Sequence, residues 1–303
     1  MKIAGTLLAG LSLLLLTSGC GERPAAEPNA GGTPTAVASG RSARLPSKNT
    51  KPPAEWTANE VLQQLLATYR QATTYQDNAV VRLAYRQGGQ PVSEQQPTAV
   101  AFERPGKLSV VAYQVTVKCD GKELKARIDD PPSKNVDGQF VVRPMPRPVT
   151  LADLASDKLL HETLSSRLRR QPIQLELLLE SGGLIAAFGS DVACQRLSDG
   201  AQGGRACFRV EVPSPGGAFV FWVDQSDFLL RRLDYPASVL WPELANDPTV
   251  SQIELYADLR EATISRPIPA NQFALDVPAN ARLVKWFTVP PPPLPSDLFG
   301  QQP

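Results

Sequence analysis

The chain has 303 residues, with 31 Lys or Arg against 30 Asp or Glu and a single His, for a formal charge of +1. A charge so near zero supplies no field for gathering polyanions, which excludes nucleic acid as a partner class. Hydrophobic residues at 42% exclude wholesale disorder, while 29 prolines, well above the roughly 5% of an average soluble chain, call for linker segments.

Met1-Lys2 is a short positive n-region, and Ile3 to Leu16 is an apolar run of signal-peptide length, too short to span a bilayer comfortably. It closes on Leu16-Thr17-Ser18-Gly19-Cys20, which resembles the lipobox of bacterial lipoproteins. That resemblance implies a signal peptide over 1–19 and a mature chain that begins at Cys20, carrying diacylglycerol and palmitate. Gly21 stands where the inner-membrane retention Asp would be, so by the same resemblance the chain is expected in the cell envelope. It would face the periplasm, on the outer membrane rather than the inner. No other stretch is apolar for eighteen residues, so the acyl anchor is the only membrane attachment expected.

Residues 20–55 are rich in Pro, Ala and Gly and read as a disordered tether. Residues 290–303 begin with four consecutive prolines and read as a stiff tail. Between them, 56–289 should fold. Thr57 and Glu60 have capping-box spacing, and Val61, Leu62, Leu65, Leu66 and Tyr69 then recur on one helical face.

The period then changes to two. Ala79, Val81, Leu83 and Tyr85 alternate with Val80, Arg82, Ala84 and Arg86 up to Gly88-Gly89, and Val100 and Phe102 belong to a second strand that turns at Pro105-Gly106. A hairpin centred on Asp120-Gly121 would set Tyr113, Val115, Val117 and Cys119 against Ile128, Ala126, Leu124 and Lys122. That makes one face apolar and the other, with Thr116, Lys118, Lys125 and Arg127, wet.

A leucine-rich helical insertion follows. Thr150 and Asp153 can cap a helix carrying Leu151, Leu154, Leu159, Leu160, Leu164 and Leu168, and a shorter helix runs from Pro172 through Leu179 to Gly182-Gly183. Strands resume near Val192–Leu197, Ala206–Val212, Ala218–Val223, Phe228–Tyr235 and Val250–Ala257, with turns at Ser198–Gly204, Pro213–Gly217 and Asp224–Asp227. A last extended stretch runs from Phe273 to Phe287.

Several of these segments are similar to the lipoprotein-carrier superfamily of LolA- and LolB-like half-barrels. They are Phe102-Glu103-Arg104-Pro105-Gly106-Lys107-Leu108, then Cys119-Asp120-Gly121-Lys122, then Phe221-Trp222-Val223-Asp224 with Leu229 to Leu233, and the closing Pro269, Phe273, Leu275, Pro278 and Ala281. The resemblance spans about 230 residues. It implies an α+β fold: a curved antiparallel sheet, an unclosed β-barrel, with the N-terminal helix and the central insertion packed in or over its concave face. The insertion at 151–179 is longer and richer in Leu than the short lid helices of the carriers. Leu294 to Gln301 also looks like the entry to a redoxin domain, before which the sequence stops.

Catalytic chemistry finds little to work with. His161 is alone, and Ser165 occupies the place of the second ligand in an HExxH zinc site, so no catalytic residue, metal or cofactor is expected. Asp129-Asp130 and Asp224 with Asp227 are carboxylate pairs at strand ends or turns, where solvated turn formers are the ordinary reading. If the turn after 197 is centred on Gly200-Ala201, Cys194 and Cys207 fall opposite each other. A cross-strand disulfide worth about 3 kcal/mol is then expected in an oxidising compartment, with Cys119 left as a buried thiol. The same register sets Arg196 against Arg205, a like-charge pair that opposes it.

The inner face remains: Val81, Leu83, Val100, Phe102, Tyr113, Val115, Val117, Phe208, Val210 and Phe221. It fits either a closed core or a hydrophobic cavity for an acyl chain. The functional expectation is a membrane-anchored lipoprotein, attached through lipidated Cys20, whose half-barrel binds a lipid, acyl chain or lipoprotein without catalysis. The alternatives are an envelope sensor of the RseB type that binds a protein partner, and an accessory module of a redoxin-containing lipoprotein.

Overall fold

The computed structural model describes residues 51–129, 136, 138–165, 171–179, 193–214 and 217–289. The signal peptide, Cys20, the tether to residue 50, Asp130, Leu168, Gly182-Gly183, Val192 and the 290–303 tail lie outside the described residues.

The last residues of the segment read as tether are among those described. Pro53–Glu55 is a 3-10 turn, Lys51 reaches Glu60 at 2.8 Å, and Trp56 packs against Phe208 and Phe228 with ring centroids 6.1 and 5.0 Å away. Helix α1, Ala58–Gln71, has the expected capping box: the Thr57 amide donates to Glu60 Oε2 at 2.8 Å and the Glu60 amide to Thr57 Oγ1 at 3.3 Å. Its buried stripe holds the predicted Val61, Leu62, Leu65, Leu66 and Tyr69.

The strands are β1 Thr74–Gln87, β2 Gln90–Glu103, β3 Lys107–Ala112, β4 Val115–Asp120, β5 Glu123–Ile128 and β6 Gln139–Pro144, then β7 Gln195–Gln202, β8 Arg205–Ser214, β9 Gly217–Asp224, β10 Leu230–Tyr235, β11 Val250–Asp258, β12 Thr263–Ile264 and β13 Arg282–Val284. They form one sheet in the order β13-β6-β5-β4-β3-β2-β1-β11-β10-β9-β8-β7, with β12 added beside β1. The terminal members β13 and β7 are not neighbours, so the sheet is an unclosed half-barrel of the expected α+β kind. Its pairs are antiparallel except that β13 runs parallel to β6. Consecutive strands joined by short turns account for most of the order, as local hairpins should.

Three predicted registers are corrected. The stretch read as one strand through Tyr113 is broken there: Ala112 pairs with Val115, and Tyr113 takes φ 56 in the β3–β4 turn. The next hairpin turns at Gly121-Lys122, with Cys119 opposite Leu124 and Val115 opposite Ile128. The two-residue displacement preserves the inward set because side chains alternate with period two. The third correction removes the disulfide. Most of Ser198–Gly204 is strand, and the turn is Gly203-Gly204, with φ of +59 and +79 that only glycine adopts freely. A bulge between Leu197 and Gly200 sets Gly200 opposite Cys207 and Gln195 opposite Glu211. Cys194 therefore lies several residues away from Cys207 along the ladder, and Cys119, Cys194 and Cys207 are all free.

The insertion forms three helices among the described residues: α2 Leu151–Ala155, α3 Lys158–Ser165 and α4 Ile173–Leu179. Thr150 caps α2 through its amide and hydroxyl, both donating to Asp153 Oδ2 at 2.8 and 2.7 Å. The single helix expected over Leu151–Leu168 is interrupted because Asp157 restarts it, its Oδ1 accepting from the Leu160 amide at 3.0 Å. Helix α1 packs on α4 and β8, and α3 on β4. Two single-turn helices, α5 Ala237–Leu240 and α6 Pro242–Ala245, lean on β11.

The outer face is less wet than alternation predicts. A 3-10 turn at Ala270–Phe273 crosses β3 and β4, where Lys118 Nζ donates to the Gln272 carbonyl at 2.8 Å, leaving Ser109 and Thr116 buried. The chain then returns as β13 and a strap along β6. Gln139 clamps Thr288 through Nε2 to its carbonyl at 2.8 Å and Oε1 from its amide at 3.1 Å.

Candidate functional site

Nine of the ten predicted inner-face residues share the concave side, and all nine are 6% exposed or less. Tyr113, the tenth, is the half-buried turn residue described above. The helices and the Trp56 cluster fill most of the concavity with the chain's own side chains. Beside Val81 and Leu83, Trp241 and Leu255 leave a void of only about 10 Å3, too small for a ligand.

One part of the concave side opens into a cleft of about 590 Å3, between the end of α1, the β2–β3 turn and the insertion. Its apolar lining is Phe102, Pro105, Pro148, Val149 and Leu177–Leu179, with Thr150 as a polar member and Arg70 and Arg104 as the charged ones. Phe102 alone among the predicted cavity residues reaches it. Gly106 permits the close approach at its base: a Cβ there would stand 3.0 Å from the Pro148 Cα.

Arg104 is held by the end of α1. Its Nε donates to the Ala72 carbonyl at 3.0 Å and its Nη2 to the Tyr69 carbonyl at 3.4 Å, where the helix dipole favours a cation. Its guanidinium carbon lies 5.1 Å from the Phe102 ring centroid. Arg70 sits in the last turn of α1 and is exposed.

Beneath the insertion, Asp77 is 2% exposed. Its Oδ2 accepts from Tyr75 Oη at 2.9 Å and from Gln174 Nε2 at 2.7 Å, and its Oδ1 from the Val100 amide at 3.0 Å. Burial pushes its carboxyl up to about 6, against the three hydrogen bonds that favour the anion. Asp77 thus joins α4, which lines the cleft, to β1 and β2.

Two of the carboxylates considered for catalysis, Asp224 and Asp227, brace a buried arginine. Asp224 and Asp227 hold Arg231, itself 1% exposed, through Nε at 2.9 Å and Nη2 at 2.5 Å. Arg231 also donates to the Ala262 carbonyl at 2.7 Å. Asp129 is exposed and lies 3.3 Å from Arg127. His161 Nδ1 lies 3.1 Å from Gln171 Nε2. Among the described residues no three His, Cys, Asp or Glu side chains gather as a metal site, and no helix is long and apolar enough to cross a membrane.

Sequence reasoning missed Arg70, Val149, Asp77 and Gln174. Asp77 carried a signal: extending the period-two set of β1 backward from Val81 and Ala79 puts Asp77 and Tyr75 on the inner face, where an Asp is conspicuous.

No family model and no curated protein matches the chain. Solved structures do. An uncharacterised conserved protein from Thermus thermophilus is 11% identical, with 75% of this chain and 98% of that one covered and a TM-score of 0.38. The MucA/MucB complex of Pseudomonas aeruginosa matches at 13% identity over 75% of this chain and 63% of that one, with a TM-score of 0.35. A LolA superfamily protein from Nitrosomonas europaea is 13% identical over 73% and 98% of the respective chains, with a TM-score of 0.28. The solved structures that this half-barrel is similar to thus include a LolA superfamily protein and MucB.

Proposed function

We propose that the chain is an envelope lipoprotein, anchored through lipidated Cys20 and facing the periplasm from the outer membrane, whose half-barrel holds an acyl chain without catalysis. The observation that carries this reading is the cleft of about 590 Å3 lined by Phe102, Val149 and Leu177–Leu179, a size and lining suited to a small apolar ligand. The rest of the concave face is occupied by side chains of the protein itself. The binding site is therefore one end of the half-barrel rather than its whole interior.

Mass spectrometry of lipid extracted from gently purified protein tests the reading. Stoichiometric bound lipid is expected, and Val149→Trp, which fills the cleft, should abolish it. Protein that carries no lipid and takes up no palmitate would overturn the proposal. Anchoring is checked separately by metabolic labelling with an alkyne fatty acid, which Cys20→Ser should eliminate.

A protein-binding role is the second reading. It is favoured by the exposed apolar residues Leu283, Trp286 and Val289 on the strap, 63%, 39% and 53% exposed. Crosslinking from Trp286 to one specific envelope protein, with no lipid in the cleft, would select it.

A further inference from the structure

The cleft is apolar in lining and one-signed in charge. Among the described residues its two charged members are Arg70 and Arg104, and no Asp or Glu lines it. Among the described residues neither guanidinium forms an ion pair: Arg104 donates only to backbone carbonyls of α1, and Arg70 is exposed at the last turn. Arg147, next to the same Pro148–Thr150 segment, is by contrast paired with Asp153 at 2.9 Å. Two cations left uncompensated beside a greasy cleft are the complement of an amphiphile with a greasy tail and an anionic head.

We infer that the cleft takes a single-chain amphiphile with an anionic head group, a carboxylate or a phosphate, whose tail lies against Phe102 and Leu177–Leu179 while Arg70 and Arg104 bind the head. This rests on the acyl-chain reading above and narrows it. A neutral glyceride or the amide-linked acyl chain of another lipoprotein would leave both guanidinium groups without a counter-charge. Arg104 is the more fixed of the two, since the α1 carbonyls and the Phe102 ring hold its plane. Part of its fork remains free to donate. Arg70 lies on a flexible stem and adds a second, more screened attraction.

Equilibrium dialysis of the full chain with palmitate, hexadecyl phosphate, methyl palmitate and inorganic phosphate, each below its critical micelle concentration where one exists, tests the inference. Palmitate or hexadecyl phosphate should bind about 10- to 100-fold more tightly than methyl palmitate, the range set by charge-assisted hydrogen bonds. Whichever anion binds more tightly identifies the head, and inorganic phosphate alone should not bind. Arg70→Gln, which disturbs no hydrogen bond, should weaken the anionic probes about threefold to tenfold and leave methyl palmitate unchanged. Arg104→Lys keeps the charge and loses the fork, so it should weaken the anionic probes while leaving their salt dependence near that of wild type; unchanged affinity for them would remove Arg104 from the head-group site. Equal binding of palmitate and its methyl ester would overturn the head-group assignment while leaving the acyl-chain reading intact. Failure of all three chain-bearing probes would overturn both.

Discussion

Asp224 and Asp77 are each 2% exposed, yet the two regions around them handle a buried carboxyl in opposite ways. At the β9–β10 corner, desolvation raises Asp224 but is outweighed by hydrogen bonds from Ser226 and by Arg231 and Arg205, so its carboxyl lies below the ordinary range. At the junction of β1 with α4, Asp77 has hydrogen-bond donors but, among the described residues, no cation in contact, and burial carries it up to about 6. A low-dielectric interior accepts a carboxyl as half of an ion pair or as a group ready to take a proton. The corner is therefore built to be permanent, and the junction beneath the cleft to respond to its surroundings.

The sharpest way to break the comparison is Arg231→Met. It leaves Asp224 buried without its main partner and should cost about 3–5 kcal/mol in urea unfolding; a loss under 1 kcal/mol would mean that the corner is not held by charge.

The next effect is a pH slope. Asp77 has an unfolded value of 3.8 and a folded value of about 6, so between these the native state holds the proton that the unfolded chain releases. Its contribution is most favourable below 3.8, declines as pH rises to about 6, and is level above, by roughly 3 kcal/mol in all. Asp224 runs the other way: its stabilisation is present above 3.8 and is lost as pH falls through its depressed folded value. Chemical denaturation at pH 4, 5, 6 and 7 should show the Asp77 decline in wild type and not in Asp77→Asn.

A smaller loss, about 1–3 kcal/mol at pH 7, is expected for Gln174→Leu, which deprives the buried carboxylate of one donor. Part of that loss should vanish at pH 4, because a protonated carboxyl needs fewer donors. Smallest is Arg205→Gln. This Arg is 48% exposed and 3.0 Å from Asp224, so its removal should cost under about 1 kcal/mol and less still at high salt.

How much of this was legible in the sequence depends on how local the cause is. Both capping boxes and the apolar stripe of α1 lie within a few residues of one another, and were readable in full. Apart from Tyr113, the inward set of the meander survived a wrong hairpin centre because parity protects it. The β7–β8 register did not survive, since the turn lies at Gly203-Gly204, three residues beyond the expected Gly200-Ala201, and a bulge between Leu197 and Gly200 shifts the pairing by one residue. The place of the turn decided the fate of the disulfide, because it sets Gly200 rather than Cys194 opposite Cys207. For the candidate site, alternation identified which side chains face inward. It could not say whether a ligand or the helices would cover them, because both present the same apolar surface. The cleft itself is made where α1, the β2–β3 turn and the insertion meet across more than 100 residues of sequence, which no window can read.

The strap along β6 has a consequence for the order of folding. β6 ends at Pro144 and its outer neighbour β13 begins at Arg282, while Phe287 supplies the amide that Asp157 Oδ2 accepts at 2.8 Å. Until the end of the described chain is available, one rim of the sheet stays open for pairing and the start of α3 lacks a partner. Contacts of such long sequence separation form slowly, and an open rim invites strands from other molecules. The chain should thus be most vulnerable to aggregation late in folding, and truncation before residue 282 should release a species that self-associates through β6 although almost every other strand is intact.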